Sequence, residues 1–249
     1  MSIVKFISPH QEINLETKPD FKISFGISTG YTNANHLIKC VNSIRKQSKH
    51  LNEYEILIIG PEIPKIVSHE IKGPDIKFIE FDETKRSLWI TRKKNLLAQQ
   101  ANFDRLCLMH DYLYFASDWA KNFKKFEQKH SWNILAFPQQ RLNGERFWYD
   151  WSGFKGPRSL DQREFYKYTD WSHNNEVYIS GNIFCVDRFL LLNHPFNENL
   201  THMQEEDLEW SRRITPHVHF KCAYNCFVHH QKEHRDEPFF ANLDQILKK

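Results

Sequence analysis

Three adjacent carboxylates and a nearby tryptophan could bind a sugar and take a proton from it. The stretch MQEEDLEW at residues 203–210 holds Glu205, Glu206 and Asp207, and Trp210 follows them. On a helix, Glu206 and Trp210 would lie on one face at positions i and i+4, which places a carboxylate beside an indole. Asp207 would point about 100° away from Glu206, so it would be free to act on something else.

The same acidic stretch has an interpretation that needs no function. Thr201 and Gln204 have the spacing of a capping box, which predicts the start of a helix at this point. The positive end of a helix dipole stabilises acidic side chains in the first turn by about 0.3–1 kcal/mol each. The dipole would therefore offset part of the repulsion among the three carboxylates, but it leaves Trp210 unexplained.

Two further polar pairs follow apolar, strand-like runs. His110 and Asp111 come directly after RLCLM, and His229 and His230 follow CAYNCFV. A carboxylate at the end of a strand is placed to bind a divalent cation that holds a diphosphate, and an imidazole from a second strand end could join the same metal. The alternatives are that Asp111 caps the next turn and that the histidine pair is structural.

Alternating strands and helices over the first 140 residues predict the scaffold for these side chains. FKISFGIS alternates apolar residues from Phe21 to Ile27 and breaks at Thr29-Gly30, as a strand that enters a turn does. Further runs predict strands at 54–60, 76–81, 105–109 and 132–138, and helices behind Asn33 and Asn35, over 88–102 and from Trp119 to Phe126. This alternation is typical of a doubly wound, mostly parallel α/β sheet with helices on both faces, which binds ligands at the carboxyl ends of its strands.

The chain changes character between residues 139 and 176. This segment is rich in aromatic residues and glycine and shows neither helical nor strand periodicity, so it is predicted to be a loop-rich insertion. Strand character returns in VYISGNIFCVD (177–187) and HFKCAYNCFVHH (219–230). The insertion carries Trp148, Tyr149, Trp151 and Trp171, whose rings could either stack on an acceptor sugar or pack the loop onto the sheet.

Composition limits the classes of function that remain. A chain of 249 residues with 40% hydrophobic residues is expected to fold as one domain. Its 34 basic and 31 acidic residues leave a charge of +3, which speaks against nucleic-acid binding. Five scattered cysteines read as buried thiols in a reducing compartment. The sequence shows no signal peptide and no apolar run of about 18 residues, so we expect a cytoplasmic protein, with peripheral contact at the inner face of a membrane left open.

Several weak motifs, in order, carry a family resemblance. YISGNIFCVDRFLLLNHPF followed by NENLTHMQEEDLEWSRRI resembles the acceptor half of family-two glycosyltransferases of the GT-A fold, in which a Gly-Asn strand precedes a Glu-Asp pair and an arginine. FKISFGISTGYTNANHLIKCVNSIRKQS and ITRKKNLLAQQANFDRLCLMHD resemble that family's first strand and helix and its helix before the metal-binding strand end. The resemblance covers roughly residues 21–230. It implies a nucleotide-sugar half at 21–115 and an acceptor half at 130–235, with an amphipathic tail at 236–249.

The resemblance implies a mechanism and a set of site residues. A sugar would pass, with inversion, from a nucleotide-diphosphate donor to a glycan or lipid-linked acceptor, with Asp207 as general base and Mn²⁺ or Mg²⁺ on the diphosphate. Glu206 would orient the acceptor and Arg212 would fix the acidic pair. Residues implied for the donor are Thr29, Glu62, Arg86, Arg92 and Asn95. Residues implied for the metal are Asp111, His229 and His230. Residues implied for the acceptor are Trp148, Trp151, Gly181, Asn182 and Trp210. The account requires Asp207 to face, across one cleft, a cation held by Asp111.

Two departures from the family pattern leave alternatives open. The Asp-x-Asp metal motif is His110-Asp111-Tyr112 here, and Gly60-Pro61-Glu62 stands where an Asp-rich turn usually grips the base and ribose. These losses favour a carbohydrate-binding module or an inactive relative of the transferases. A nucleotidyltransferase is a further alternative, although STGYTNAN is a poor triphosphate loop.

Overall fold

The computed structural model describes residues 21–147, 150–154, 163–202 and 204–232. Trp148, Tyr149 and the predicted tail at 236–249 lie outside these residues. Within the described part of the chain, none of the helices has both the length and the apolar character that crossing a membrane requires.

The elements alternate along the chain as the sequence predicts. The α-helices are α1 (Ala34–Arg45), α2 (Lys65–Glu70), α3 (Ile90–Gln100), α4 (Trp119–Glu127), α5 (Arg188–Asn193) and α6 (Glu206–Ile214). The strands are β1 (Lys22–Ser28), β2 (Glu53–Gly60), β3 (Ile76–Glu80), β4 (Arg105–His110), β5 (Leu113–Phe115), β6 (Ile134–Ala136), β7 (Gln139–Gln140), β8 (Ser152–Phe154), β9 (Arg163–Phe165), β10 (Val177–Tyr178), β11 (Ile183–Asp187), β12 (Phe220–Cys222) and β13 (Val228–His230).

A seven-stranded sheet in the order β12-β6-β11-β4-β1-β2-β3 forms the centre of the fold. Neighbouring strands are parallel, except that β11 runs antiparallel to both β4 and β6. The mostly parallel α/β sheet is thereby confirmed. Because β1, β2 and β4 share a direction and β11 opposes them, the carboxyl ends of the three strands and the start of β11 lie at one edge of the sheet.

Helices cover both faces of this sheet, as predicted. One hydrophobic core joins one sheet face to α1 and α4 and includes Leu37 and Trp119. The other core joins the opposite face to α3, α5 and α6 and includes Leu97 and Trp210. Gly26 of β1 lets α3 approach closely, since a Cβ at this position would lie 3.2 Å from Leu97 Cδ1. Burial of these apolar faces, at roughly 25 cal/mol per Å², is the main force that holds the helices on the sheet. All five cysteines are buried free thiols.

Two stretches that read as single strands are each divided in the fold. Residues 177–187 form β10 and β11, because the turn at Ser180, Gly181 and Asn182 interrupts the extended backbone. Residues 219–230 form β12, in the central sheet, and β13, in a three-stranded sheet of order β5-β13-β7. The insertion is also more regular than expected, since β8 and β9 join β10 in a third sheet.

Candidate functional site

Polar groups from three chain segments meet at the edge where the parallel strands end. β4 ends at His110 and is followed by Asp111, while β11 begins just after Gly181 and Asn182. The backbone N–H of His110 donates to the carbonyl of Asn182 at 3.0 Å, so these strand ends lie side by side. The first turn of α6 reaches the same place, because Asp207 Oδ2 accepts a 2.9 Å hydrogen bond from the backbone N–H of Gly181.

Asp207 is held through both its side chain and its backbone. Besides the bond described above, its Oδ1 accepts from the backbone N–H of Leu208 at 2.9 Å. Its carbonyl accepts from Ser211 Oγ at 2.7 Å, and Ser211 Oγ accepts in turn from the N–H of Ile179 at 2.9 Å. Burial raises the pKa of Asp207 above that of an ordinary carboxyl, and the adjacent charge of Glu206 raises it further. A fixed carboxylate with a raised pKa is suited to take a proton from a hydroxyl group.

The neighbouring carboxylate, Glu206, faces a buried lysine of α3. Lys94 Nζ lies 3.5 Å from Glu206 Oε1, and the exposed fractions of the two side chains are only 3% and 7%. The charge of Lys94 opposes the rise in the pKa of Asp207. Gly181 leaves room for both groups, because a Cβ there would lie 3.0 Å from Lys94 Nζ and 3.3 Å from Asp207 Oδ2. One lysine, two acids and one glycine therefore form a single contact group.

His110 and Tyr112 lie beside this group at the end of β4. Their rings stack at a centroid distance of 5.3 Å, and the Tyr112 hydroxyl donates to Asn182 Oδ1 at 2.7 Å. Burial, followed by the charge of Lys94, holds the pKa of His110 well below its usual value. The imidazole of His110 is therefore neutral at physiological pH.

Asp111 shares this sheet edge but faces the α1 side of it. Its Oδ2 accepts a 2.6 Å hydrogen bond from Thr29 Oγ1, and the charges of Lys232 and His36 act on it. Burial raises the pKa of Asp111, and the hydrogen bond from Thr29 works against that rise. Asp111 bonds to Thr29 while Asp207 bonds to Gly181, so the two carboxyl groups have different partners at this edge. That Asp207 faces, across one cleft, a cation held by Asp111 stays a prediction.

The histidines predicted to join Asp111 in a metal site are engaged elsewhere. His229 stacks on Tyr114 at 5.0 Å, and His230 is fully buried with Nε2 2.9 Å from Gln139 Oε1. Both histidines serve the packing of the β5-β13-β7 sheet, so we correct their assignment as metal ligands. Over the described ranges, no group of three or more His, Cys, Asp or Glu side chains is arranged to hold a metal ion. Asp111 is then the one predicted metal ligand that is left. Mg²⁺ can bind through one carboxylate when phosphates and water complete its coordination.

Three residues predicted to bind the donor bond to the segment 196–200, two of them from α3 and Arg86 from the loop before it. Arg92 Nη1 and Asn95 Nδ2 each donate to Glu198 Oε1 at 2.9 Å. Arg86 Nη1 donates to the Glu198 carbonyl at 2.7 Å. Asn95 is 4% exposed and its amide is used within the fold, so its predicted contact with a nucleotide sugar is corrected. The side chain of Arg92 is 36% exposed, and for Arg86 and Arg92 a contact with the donor stays a prediction. They hold the segment that leads into α6.

The other two predicted donor contacts differ from each other. Thr29 is 3% exposed and has its polar groups occupied: Oγ1 donates to Asp111 and accepts from the Tyr31 N–H at 2.9 Å, and its carbonyl accepts from Lys93 Nζ at 3.1 Å. Thr29 therefore positions Asp111. Glu62 is exposed on the loop after β2, so its carboxylate is accessible at the same sheet edge.

Two of the tryptophans predicted to meet an acceptor are core residues. Trp210 is fully buried, stacks on Phe196 at a centroid distance of 4.6 Å, and donates its Nε1–H to the His194 carbonyl at 2.6 Å. Trp151 is also fully buried and donates to the Asp170 carbonyl at 3.0 Å. Neither indole can present a face to a sugar, and the acceptor assignment of both is corrected. Trp148 lies outside the described residues.

The start of α6 differs from the predicted capping box. Thr201 N–H does donate to Gln204 Oε1 at 2.8 Å, but this contact forms before the helix begins. The helix begins at Glu206, and the preceding Glu205 has a left-handed backbone with φ 56°. Three acids, Glu206, Asp207 and Glu209, therefore occupy the first turn beside the positive end of the helix dipole, and Glu205 lies outside it.

Left-handed backbone at residues other than glycine marks three loops around this edge. Tyr31 follows β1, Leu88 precedes α3 and Glu205 precedes α6, with φ between 51° and 56°. The Leu88 carbonyl accepts the N–H of His202 at 3.0 Å, which joins two of these loops. Such conformations cost about 1–2 kcal/mol each and concentrate at functional sites.

Lys94 is the principal site residue that the sequence patterns did not single out. The sequence feature that could have indicated Lys94 is the run Arg92-Lys93-Lys94-Asn95. This run places four polar residues in succession on a helix that packs against a sheet. Successive helical residues differ by about 100°, so at least one of them must face inward, and a buried lysine needs an acidic partner.

Comparisons with known proteins identify the fold. No protein-family model matches the chain, and no curated protein matches it either. Residues 1–349 of TarS from S. aureus, solved with UDP-GlcNAc, superpose with a TM-score of 0.60 at 12% identity, covering 86% of this chain and 60% of that one. GalNAc-T7, solved with UDP, GalNAc and Mn²⁺, gives a TM-score of 0.63 at 13% identity, covering 86% of this chain and 44% of that one. This chain therefore spans about 60% and 44% of the length of these two proteins.

Proposed function

We propose that this chain, which has the GT-A fold, transfers a sugar from a nucleotide-diphosphate donor to a hydroxyl group of an acceptor. The fold likeness to TarS with UDP-GlcNAc and to GalNAc-T7 with UDP and GalNAc supports a nucleotide sugar as the donor. The observation that carries the proposal is the position of Asp207, a fixed and partly buried carboxylate where α6 meets the end of β4 and the turn before β11. Open α/β sheets bind their ligands at this edge.

In the proposed reaction Asp207 is the general base. It accepts the proton of the acceptor hydroxyl while the acceptor oxygen bonds to the anomeric carbon of the donor. The bond from that carbon to the diphosphate breaks, and the diphosphate leaves with the electron pair. A base on the side opposite the leaving group requires attack from that side, so the configuration of the anomeric carbon inverts.

The remaining side chains of the site bind and orient the two substrates. Glu206, paired with Lys94, shapes the acceptor side together with Gly181 and Asn182. Glu62 is our candidate for a contact to the base or ribose, because it is accessible just beyond β2. The acceptor we propose is a glycan or a lipid-linked saccharide.

A divalent cation, Mn²⁺ or Mg²⁺, would be held by Asp111. When bound, it would neutralise charge on the diphosphate. The lysines near Asp111 supply positive charge of their own: Lys93 Nζ donates to Thr29, which also bonds Asp111, and the charge of Lys232 acts on the Asp111 carboxyl. We therefore expect chelation of divalent ions to weaken turnover without removing donor binding.

The full chain can be tested with a panel of nucleotide sugars and saccharide acceptors by measuring release of the nucleoside diphosphate. We expect release with one nucleotide class, and NMR of the product is expected to show an inverted anomeric configuration. A product with retained anomeric configuration would contradict the assignment of Asp207 as general base. No release with any donor, together with no change in melting temperature on adding any nucleotide sugar, would refute the proposal, because a ligand that binds the folded state stabilises it.

A binding module without turnover is the second candidate. The observation that favours it is the single carboxylate at the end of β4, where His110 and Tyr112 flank Asp111. A binding module would show stabilisation by saccharides alone and no nucleotide release. The same panel therefore separates the two candidates.

A further inference from the structure

Lys94 is a buried cation whose ammonium makes no hydrogen bond within the described chain. Its ammonium lies 3.5 Å from Glu206 Oε1, beyond good hydrogen-bond distance, and 4.8 Å from the centre of the Phe196 ring. Burial of a charge in this way costs free energy unless opposite charges compensate for it. Helix packing alone would be served better by an apolar residue at this position.

The ammonium of Lys94 lies close to the carboxylate of Asp207, beside Gly181. A Cβ at Gly181 would lie 3.0 Å from Lys94 Nζ and 3.3 Å from Asp207 Oδ2. The glycine therefore brings the ammonium and the carboxylate to adjoining positions. The positive charge of Lys94 and the N–H of Gly181 act on the same carboxyl group.

We propose that Lys94 is a positioning residue for the reaction, and that its ammonium keeps Asp207 ionised and ready to accept the proton of the acceptor. The proposal rests on the proposed function, since it assigns Lys94 a role through the general base. Lys94 itself need not touch either substrate.

The charges around Asp207 show why such a residue is needed. Burial and the charge of Glu206, its neighbour on α6, both favour the protonated acid, which cannot act as a base. Opposing them are the charge of Lys94 from α3 and the backbone N–H groups of Gly181 and Leu208. His110 of β4 also faces Lys94, and its imidazole is neutral. Of these groups, Lys94 carries a full positive charge, whereas the two backbone N–H groups are only dipoles. Its charge favours the ionised form of Asp207.

The same geometry separates the roles of the two acids. Glu206 is 6% exposed and forms the ion pair with Lys94, so its charge is compensated and its carboxylate is held on the α3 side. Asp207 is turned toward Gly181 at the strand ends and is only partly buried, whereas Glu206 is buried. One lysine thereby leaves Asp207, and not Glu206, as the base.

The test compares pH–rate profiles of the full chain carrying Lys94→Met, Lys94→Arg or Lys77→Met. Methionine keeps an unbranched side chain of similar length without the charge. Lys77 is an exposed lysine that donates to Gln100, so its substitution controls for the loss of a positive charge. With Lys94→Met we expect the pH of half-maximal kcat/KM on the acid side to rise by roughly one unit, because a nearby opposite charge stabilises an ionised carboxyl by about that much or more. Lys94→Arg and Lys77→Met should keep the wild-type acid limb.

A rate that falls equally at every pH would indicate a structural role and overturn the proposal. So would an unchanged profile in Lys94→Met. If Lys94→Met does not fold, Lys94→Gln carries the same test, because it also removes the charge.

A second measurement does not depend on turnover. NMR titration of the ¹³C-labelled Asp207 carboxyl should show its midpoint at higher pH in Lys94→Met than in the wild type and in Lys77→Met. An equal midpoint in all three proteins overturns the proposal. If the carboxyl titration shifts as expected and no donor turns over, the proposed function fails while the electrostatic role of Lys94 stands.

Discussion

The backbone N–H of Gly181 donates to Asp207 Oδ2 at 2.9 Å, which joins the turn before β11 to the first turn of α6. This bond crosses 26 positions of sequence and sets the carboxylate at the edge where β4 and β11 meet. Its position depends on the absence of a side chain at Gly181, since a Cβ there would reach both Asp207 and Lys94. Most of our predictions follow from this arrangement.

Gly181→Ala should impair turnover more than stability. The added Cβ would lie 3.0 Å from Lys94 Nζ, the far end of a flexible side chain that can shift, and 3.3 Å from Asp207 Oδ2. Since a displacement of about 1 Å at a reacting group can cost on the order of 10²-fold, we expect kcat to fall at least about tenfold. Calorimetry should show little change in melting temperature.

Gly30→Ala is the matched control, because its Cβ would meet only Thr32 Cγ2, at 3.9 Å. A melting temperature for Gly181→Ala far below that of Gly30→Ala, with normal kcat in the material that remains folded, would contradict the account.

Asp207→Asn should be more stable than the wild type at neutral pH. Burial and Glu206 raise the pKa of Asp207 in the folded state, so folding favours the protonated acid. The stabilisation from this group is fully present below the unfolded-state pKa and is lost as the pH rises through the raised folded-state pKa. Asparagine stays neutral throughout, so it avoids that loss. Its one amide oxygen can still accept from Gly181, although it cannot also accept from Leu208.

The measurement is the difference in melting temperature between Asp207→Asn and the wild type from about pH 3 to about pH 7. We expect a positive difference at neutral pH that shrinks toward zero in acid. A variant less stable than the wild type at neutral pH would show that the ionised carboxylate is a net stabilising group.

Asn95→Ala should lower stability without weakening donor binding. Asn95 Nδ2 donates to the Phe196 carbonyl at 3.0 Å and to Glu198 Oε1 at 2.9 Å, and its Oδ1 accepts from the Phe196 N–H at 2.9 Å. Loss of these buried partners should cost about 1–3 kcal/mol in the free energy of unfolding. Gln99→Ala, at an exposed position of the same helix, should cost little. A raised donor KM in Asn95→Ala with unchanged stability would instead support the prediction that Asn95 contacts the donor directly.

Trp210→Phe should likewise act on stability and not on the acceptor. The substitution leaves the His194 carbonyl without its 2.6 Å donor and leaves space beside Phe196 and Phe184. We expect a loss of about 1–3 kcal/mol in chemical denaturation and an unchanged acceptor KM. A selective rise in acceptor KM would mean that the indole meets the sugar after all.

The sequence predicts those parts of the fold that local periodicity controls. Period-two and period-3.6 patterns locate β1, β2, β4, α1, α3 and α4, and the directions of parallel strands place their carboxyl ends at one edge. Asp111 could be predicted to lie at that edge for the same reason. The helical arrangement of Glu206, Asp207 and Trp210 also follows from spacing alone.

The partners of helical side chains could not be predicted, because they come from distant segments. Arg92 is one example, since its partner Glu198 lies 106 residues further along the chain. The spacing of Glu206 and Trp210 defines a face, but only the packing of α6 against the sheet shows that this face is turned inward. Lys94 illustrates the same limit, since its role depends on Gly181 and on two acids of another helix.

The most direct measurement of the central claim is the transfer rate of Asp207→Asn beside that of Glu209→Gln. Both variants remove one carboxylate from α6, but Glu209 pairs with Arg213 at 2.8 Å and lies outside the site. We expect Asp207→Asn to lower kcat by about 10²–10⁴-fold, the usual contribution of a general base, with donor binding retained and Glu209→Gln near the wild-type rate. Turnover of Asp207→Asn within a few-fold of the wild type would contradict the claim that Asp207 is the general base.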